Sequence, residues 1–122
     1  MHLIVYVLAV IAIEIHQVDA GAEREWDILH LPFGRPGFLV AQGVQVLLIA
    51  TGLVLAAQDQ RLGDALGALV GAGALVGFTL HVILWRRGDP HFRARESVAS
   101  IGAMAAAGAV TLTVYAARLI AS

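Results

Sequence analysis

The chain has 122 residues, of which 59% are hydrophobic and 14% charged, and its formal net charge is −1. Soluble domains carry about 25% charged residues, so this composition, with a mean hydropathy of +0.80, excludes an ordinary soluble domain and points to lipid. The absence of cysteine excludes disulfides, thiolate metal sites and thiol nucleophiles. All eight fixed cations are arginines, and nucleic acid is not an expected partner.

Met1-His2-Leu3 lacks the positive n-region of a signal peptide. Ala20-Gly21-Ala22 faintly resembles a cleavage site, but cutting there would discard a polar first span, so the chain is read as mature from Met1. The first predicted span covers about residues 3–20, a length that crosses roughly 30 Å of hydrocarbon. A polar connection follows, residues 21–36, whose beginning is expected to continue the first helix; Pro32, Gly34, Pro36 and Gly37 break whatever helix precedes them. Further spans are predicted at about residues 38–57, 62–85 and 96–120. They are separated by the hydrophilic turn Gln58-Asp59-Gln60-Arg61 and by a basic loop, residues 86–95. Connections this short make successive helices antiparallel. The expected fold is all-α: a single transmembrane domain over residues 1–122, an up-down-up-down four-helix bundle.

Arginine distribution gives the orientation. Arg24, Arg35, Arg86, Arg87, Arg93 and Arg95 follow spans one and three, against Arg61 and Arg118 on the other side. The positive-inside rule puts the richer loops in the cytoplasm and both termini outside. In a bacterium this would be the inner membrane. Gly63, Gly67 and Gly71 recur every four residues in span three, and span four contributes Gly102, Ala103, Ala106 and Ala107. Small residues at this spacing let backbones approach; packing within the bundle is the preferred reading, a homodimer through the third span the alternative.

Ionisable groups at membrane depth are costly and commonly functional. Span one runs inward, so His16, Asp19 and Glu23 approach the cytoplasmic side, within a narrow face of one helix. Gln42 and Gln45 lie early in span two, His81 late in span three, and Glu96, Ser97 and Ser100 open span four. All four helices therefore bring polar groups to one level. Imidazoles and carboxylates are donors for zinc, iron or manganese. His16, Asp19, His81 and Glu96 are the candidate ligands of a divalent ion. Gln42, Gln45, Ser100 and Glu25 are candidates to orient them or hold a ligand. Each residue also has a plainer reading: Asp19 and Glu23 in interfacial water, Glu96 as an anion at a helix N-terminus. Trp26, Trp85, Tyr6 and Tyr115 read as interfacial aromatics, and His2, His30 and His91 as superficial.

His16-Gln17-Val18-Asp19-Ala20 followed by Glu25-Trp26 resembles a family of small bacterial four-span membrane proteins of uncharacterised function. Its members carry His-Glu- or His-Gln-x-Asp-Ala closing the first span, Glu-Trp soon after, a histidine late in the third span and a polar patch opening the fourth. The resemblance implies corresponding roles for His16, Asp19, Ala20, Glu25, Trp26, His81 and the Glu96-Ser97-x-x-Ser100 run, and departs where Glu96 stands for a frequent histidine. It implies no activity.

The leading expectation is a metal site near the cytoplasmic interface, able to activate water with Glu23 or Glu25 as general base, against an amphiphilic small molecule arriving from the bilayer. One alternative makes His16 and His81 axial ligands of b-type haem. Others are a structural subunit of a membrane complex, or a proton-coupled transporter using Glu14, which lies deeper and nearly opposite Asp19 around the helix.

Overall fold

The computed structural model describes residues 1–121. Among them the chain forms helices α1 (His2–Ala22), α2 (Glu25–Ile28), α3 (Gly34–Ala57), α4 (Arg61–Arg86) and α5 (Arg95–Ala121), and no strand. The four long helices have 21, 24, 26 and 27 residues and apolar stretches of mean hydropathy 1.8, 2.1, 1.9 and 1.7. At about 1.5 Å per residue each is long enough to cross a bilayer core. The protein is a membrane four-helix bundle.

Backbone polar groups at the helix ends explain where the helices stop. Beyond α4, Gly88 adopts φ +84°. Its N–H donates to Trp85 O at 3.1 Å and that of Asp89 to Leu84 O at 3.0 Å. This is the Schellman pattern, and glycine enters its left-handed conformation without steric penalty. Asp59 ends α3 the same way at φ 52°, its N–H reaching Ala56 O at 3.1 Å and that of Gln60 reaching Leu55 O at 2.9 Å.

The first helix continues into the connection as expected, but only to Ala22; Arg24 then turns left-handed at φ 55°. The turn returns the chain as the single-turn α2 before α3 begins at Gly34. That start is four residues ahead of the predicted span, because Pro36 falls within the first helical turn, where a missing N–H does no harm.

Glycine sets the helix spacing. A Cβ on Gly67 would lie 2.6 Å from the Tyr115 ring, and one on Gly71 would lie 2.5 Å from Leu112 N. Gly63 lies directly against the α3 backbone at Leu55 and Ala56. The repeat in α4 is therefore used within the bundle, on both α3 and α5. Tyr6 and Tyr115, expected at the interface, are instead wholly buried. Gly52 makes room for the Tyr6 hydroxyl and Gly67 for the Tyr115 ring. Each hydroxyl has a partner: Tyr6 donates to Ile49 O at 2.9 Å, Tyr115 to His2 O at 3.1 Å. α1 packs mainly on α5 and α3 mainly on α4. Few contacts join α1 to α3, which leaves a cleft between them.

Candidate metal centre

The buried face of α1 runs Tyr6, Ala9, Ile13, His16, Ala20, at alternating steps of three and four. That of α4 runs through Gly63, Gly67, Gly71 and Ala74 to His81. Both periodicities carry a histidine into the bundle, and the antiparallel arrangement brings the two to the same depth. His16 and His81 are only 3% and 2% exposed, and their rings meet edge to face with centroids 4.8 Å apart.

The third member is Glu25. Nine residues after His16, it would lie some 13 Å farther along a continuous helix and on the opposite face. The left-handed turn at Arg24 brings it back instead. Glu25 is buried, and one ligand atom each from His16, Glu25 and His81 lie within 4.8 Å of one another. Glu25 Oε1 is 3.6 Å from His81 Nε2.

Hydrogen bonding fixes the form of one imidazole. His81 Nδ1 lies 2.8 Å from Gly77 O. A carbonyl only accepts, so Nδ1 carries the proton and, in the neutral ring, Nε2 presents a lone pair. That nitrogen is buried and has no hydrogen-bond partner; the same is true of His16 Nδ1 and Asp19 Oδ2. Buried polar atoms without a hydrogen-bond partner are unusual, because each forfeits about 1–3 kcal/mol of solvation.

The surroundings keep the cluster dry. Phe92, 2% exposed, stands edge to face on His81 at 4.6 Å and lies 5.9 Å from His16. It holds a left-handed backbone at φ 58°, a strained conformation for a non-glycine residue, and its ring packs with Ala20, Phe38 and Ile101. Burial pushes the Glu25 carboxyl above the ordinary carboxylate range; the His81 imidazole opposes this and the Asp19 charge reinforces it. Asp19 therefore lies within electrostatic reach of Glu25, although it is only half-buried and outside the three-residue group.

The remaining sequence candidates fall around this centre or away from it. Glu96, the expected fourth ligand, is exposed. The buried face of α5 begins one residue later and runs Ser97, Ile101, Met104, Gly108, so a step of 100° takes Glu96 off it. Glu23 is half-buried and outside the group. Ser100 donates to Ser97 O at 3.0 Å. Gln17 Nε2 donates to Gln45 Oε1 at 3.3 Å, which joins α1 to α3, while Gln42 is half-buried. Glu14 is half-buried one turn deeper.

A second polar cluster, at the opposite end, was not anticipated. Arg118 Nε donates to Asp64 Oδ1 at 2.7 Å and Nη2 to Asp59 Oδ1 at 3.0 Å. The Asp64 side chain is 5% exposed. His2, read as superficial, joins it: Nε2 lies 3.3 Å from Ala56 O, and Nδ1 lies 3.5 Å from Arg118 Nη1. An acid in the third span at the depth of an arginine in the fourth was the available signal.

A membrane-spanning four-helix bundle with a buried His–Glu–His cluster at its arginine-rich end is the class of protein that fold and site define. The chain belongs to DUF6713, a family of unknown function, whose model matches residues 2–118. No curated protein and no solved structure matches it.

Proposed function

We propose that this is a metal-binding protein of the bacterial inner membrane, holding one divalent transition ion between His16, Glu25 and His81 close to the cytoplasmic face. One observation carries the reading: His81 Nε2, whose lone pair is set by the Nδ1 bond to Gly77 O, is buried without a hydrogen-bond partner 3.6 Å from a buried carboxylate oxygen. A tetrahedral ion with bonds of about 2.1 Å spaces its ligand atoms by about 3.4 Å. The His81–Glu25 separation fits that spacing, and the full group closes on it with small side-chain movements. The Gly77 carbonyl then plays the orienting part that ligating imidazoles ordinarily require. A cation would also offset the cost of a carboxylate buried among neutral rings.

Two imidazoles and one carboxylate suit zinc, iron or manganese. Three protein ligands leave a coordination position open, where an ion can activate water or polarise a bound carbonyl. The geometry favours a small ion over haem. Axial imidazoles stand on opposite faces of a macrocycle, whereas these ring centroids are 4.8 Å apart with Phe92 filling the adjoining space.

Elemental analysis of the purified protein tests the reading. Stoichiometric zinc, iron or manganese is expected in the wild type and a loss of at least tenfold in His16→Ala and His81→Ala, with helical circular dichroism retained. Wild-type protein that holds no more metal than the double variant, even after loading, sinks the proposal. Orientation follows from six arginines at the site end against Arg61 and Arg118 at the other. In this cysteine-free chain, Gln60→Cys should react with an impermeant maleimide from outside the cell and His91→Cys should not; the reverse pattern inverts the topology.

A further inference from the structure

Between α1, α3 and α4 lies a cavity of about 360 Å³, a size within the range of small-molecule sites. It extends along α4 from Leu69 to Gly77, eight residues or about 12 Å. Its two ends differ. His16, Gln17, Glu25 and Gln45 line the end nearer α2; Leu48, Ile49, Leu69 and Val70 line the other end. Val44, Leu48, Leu69 and Gly73 on its rim are exposed, at depths where the surroundings are acyl chains. The cavity therefore opens sideways into the bilayer.

The glutamine pair adds a chemical requirement. Gln17 and Gln45 share one hydrogen bond, yet Gln17 Oε1 and Gln45 Nε2 are both buried without a partner. The pair thus offers one free acceptor and one free donor. Exchanging oxygen and nitrogen in both amides moves the two roles between residues but leaves one of each. Neither side chain carries charge, so what answers them is a neutral head that both accepts and donates.

We infer that this cavity binds a single-chain membrane amphiphile with an uncharged head bearing a hydrogen-bond acceptor and donor together, as in a long-chain primary amide or a protonated fatty acid. The apolar end receives the chain, the glutamines hold the head, and the His–Glu–His cluster adjoins it. The inference deepens the metal reading, and rests on it for what happens to the head, though not for binding.

Radiolabelled oleamide and purified protein in phosphatidylcholine nanodiscs, metal-free and zinc-loaded, supply the test. Saturable binding of oleamide and not of 1-octadecene is expected. Gln17→Leu with Gln45→Leu should weaken it about tenfold by removing two hydrogen bonds. Gly73→Phe should abolish it and leave zinc retention intact, since a side chain there projects into open space on the cavity wall. Zinc retention without saturable oleamide binding overturns the inference and spares the metal site. Oleamide binding without zinc retention supports the inference and removes the metal site. Binding that octadecene matches, binding undiminished in Gly73→Phe, or a cross-linked dimer of this chain covering the cavity also overturns it.

Discussion

The bundle has a polar cluster at each end, and they are built on opposite principles. At the end holding the chain termini, Arg118 donates to both Asp64 and Asp59, and His2 lies against the Ala56 carbonyl. One guanidinium there serves two carboxylates, and donors have acceptors. At the arginine-rich end, His16 Nδ1, His81 Nε2 and Asp19 Oδ2 are buried and unpartnered. A closed network is what a structural clasp requires. Buried donor atoms left without hydrogen bonds beside a carboxylate are what a cation site offers. Burial alone does not separate the two, since Asp64 is nearly as deeply buried as the histidines; the accounting of donors and acceptors does.

The largest effect should come from opening the closed end. Arg118→Met leaves the Asp64 carboxylate buried and alone, which should cost about 3 kcal/mol in reversible unfolding in detergent. Asp64→Leu combined with it should recover most of that, since an apolar pair of similar volume replaces a buried ion pair with little loss. At the other end His81→Leu in metal-free protein should cost only about 1 kcal/mol, the worth of the Nδ1 bond to Gly77 O, because Nε2 had no hydrogen-bond partner to lose. A His81 substitution as costly as that of Arg118 would erase the distinction and make His81 a structural residue.

That contrast also marks what the sequence could and could not reveal. The spans were legible because lipid demands long apolar helices whatever the tertiary contacts. The meeting of His16 with His81 was legible because antiparallel connectivity fixes depth and helical phase fixes face. Glu25 as a member of the cluster was not. It depends on one left-handed residue, Arg24, where neither glycine nor asparagine announces a turn. Helical phase, applied to α5, would have moved the fourth candidate off Glu96, since Ser97, Ile101, Met104 and Gly108 already form a continuous inward stripe. Asp64 and Arg118 were visible as a depth-matched pair of opposite charges across adjacent spans.

The smallest effects sharpen the boundary of the open end. Asp19 sits one turn beyond His16 with a buried, unpartnered oxygen, and its charge acts on Glu25. It is outside the donor group, so in the proposed metal site its part is to support the ion from a distance. Asp19→Asn should lower zinc affinity about tenfold, as loss of a supporting carboxylate does, without abolishing binding. Glu96 is exposed off the packed face of α5. Its charge is screened by water and headgroups, so Glu96→Gln should leave zinc affinity unchanged within about twofold. Competition titration with a zinc chelator measures both. A loss in Glu96→Gln matching that in His81→Ala would mean that α5 turns a ligand inward when metal binds, and a fourth helix would then belong to the centre.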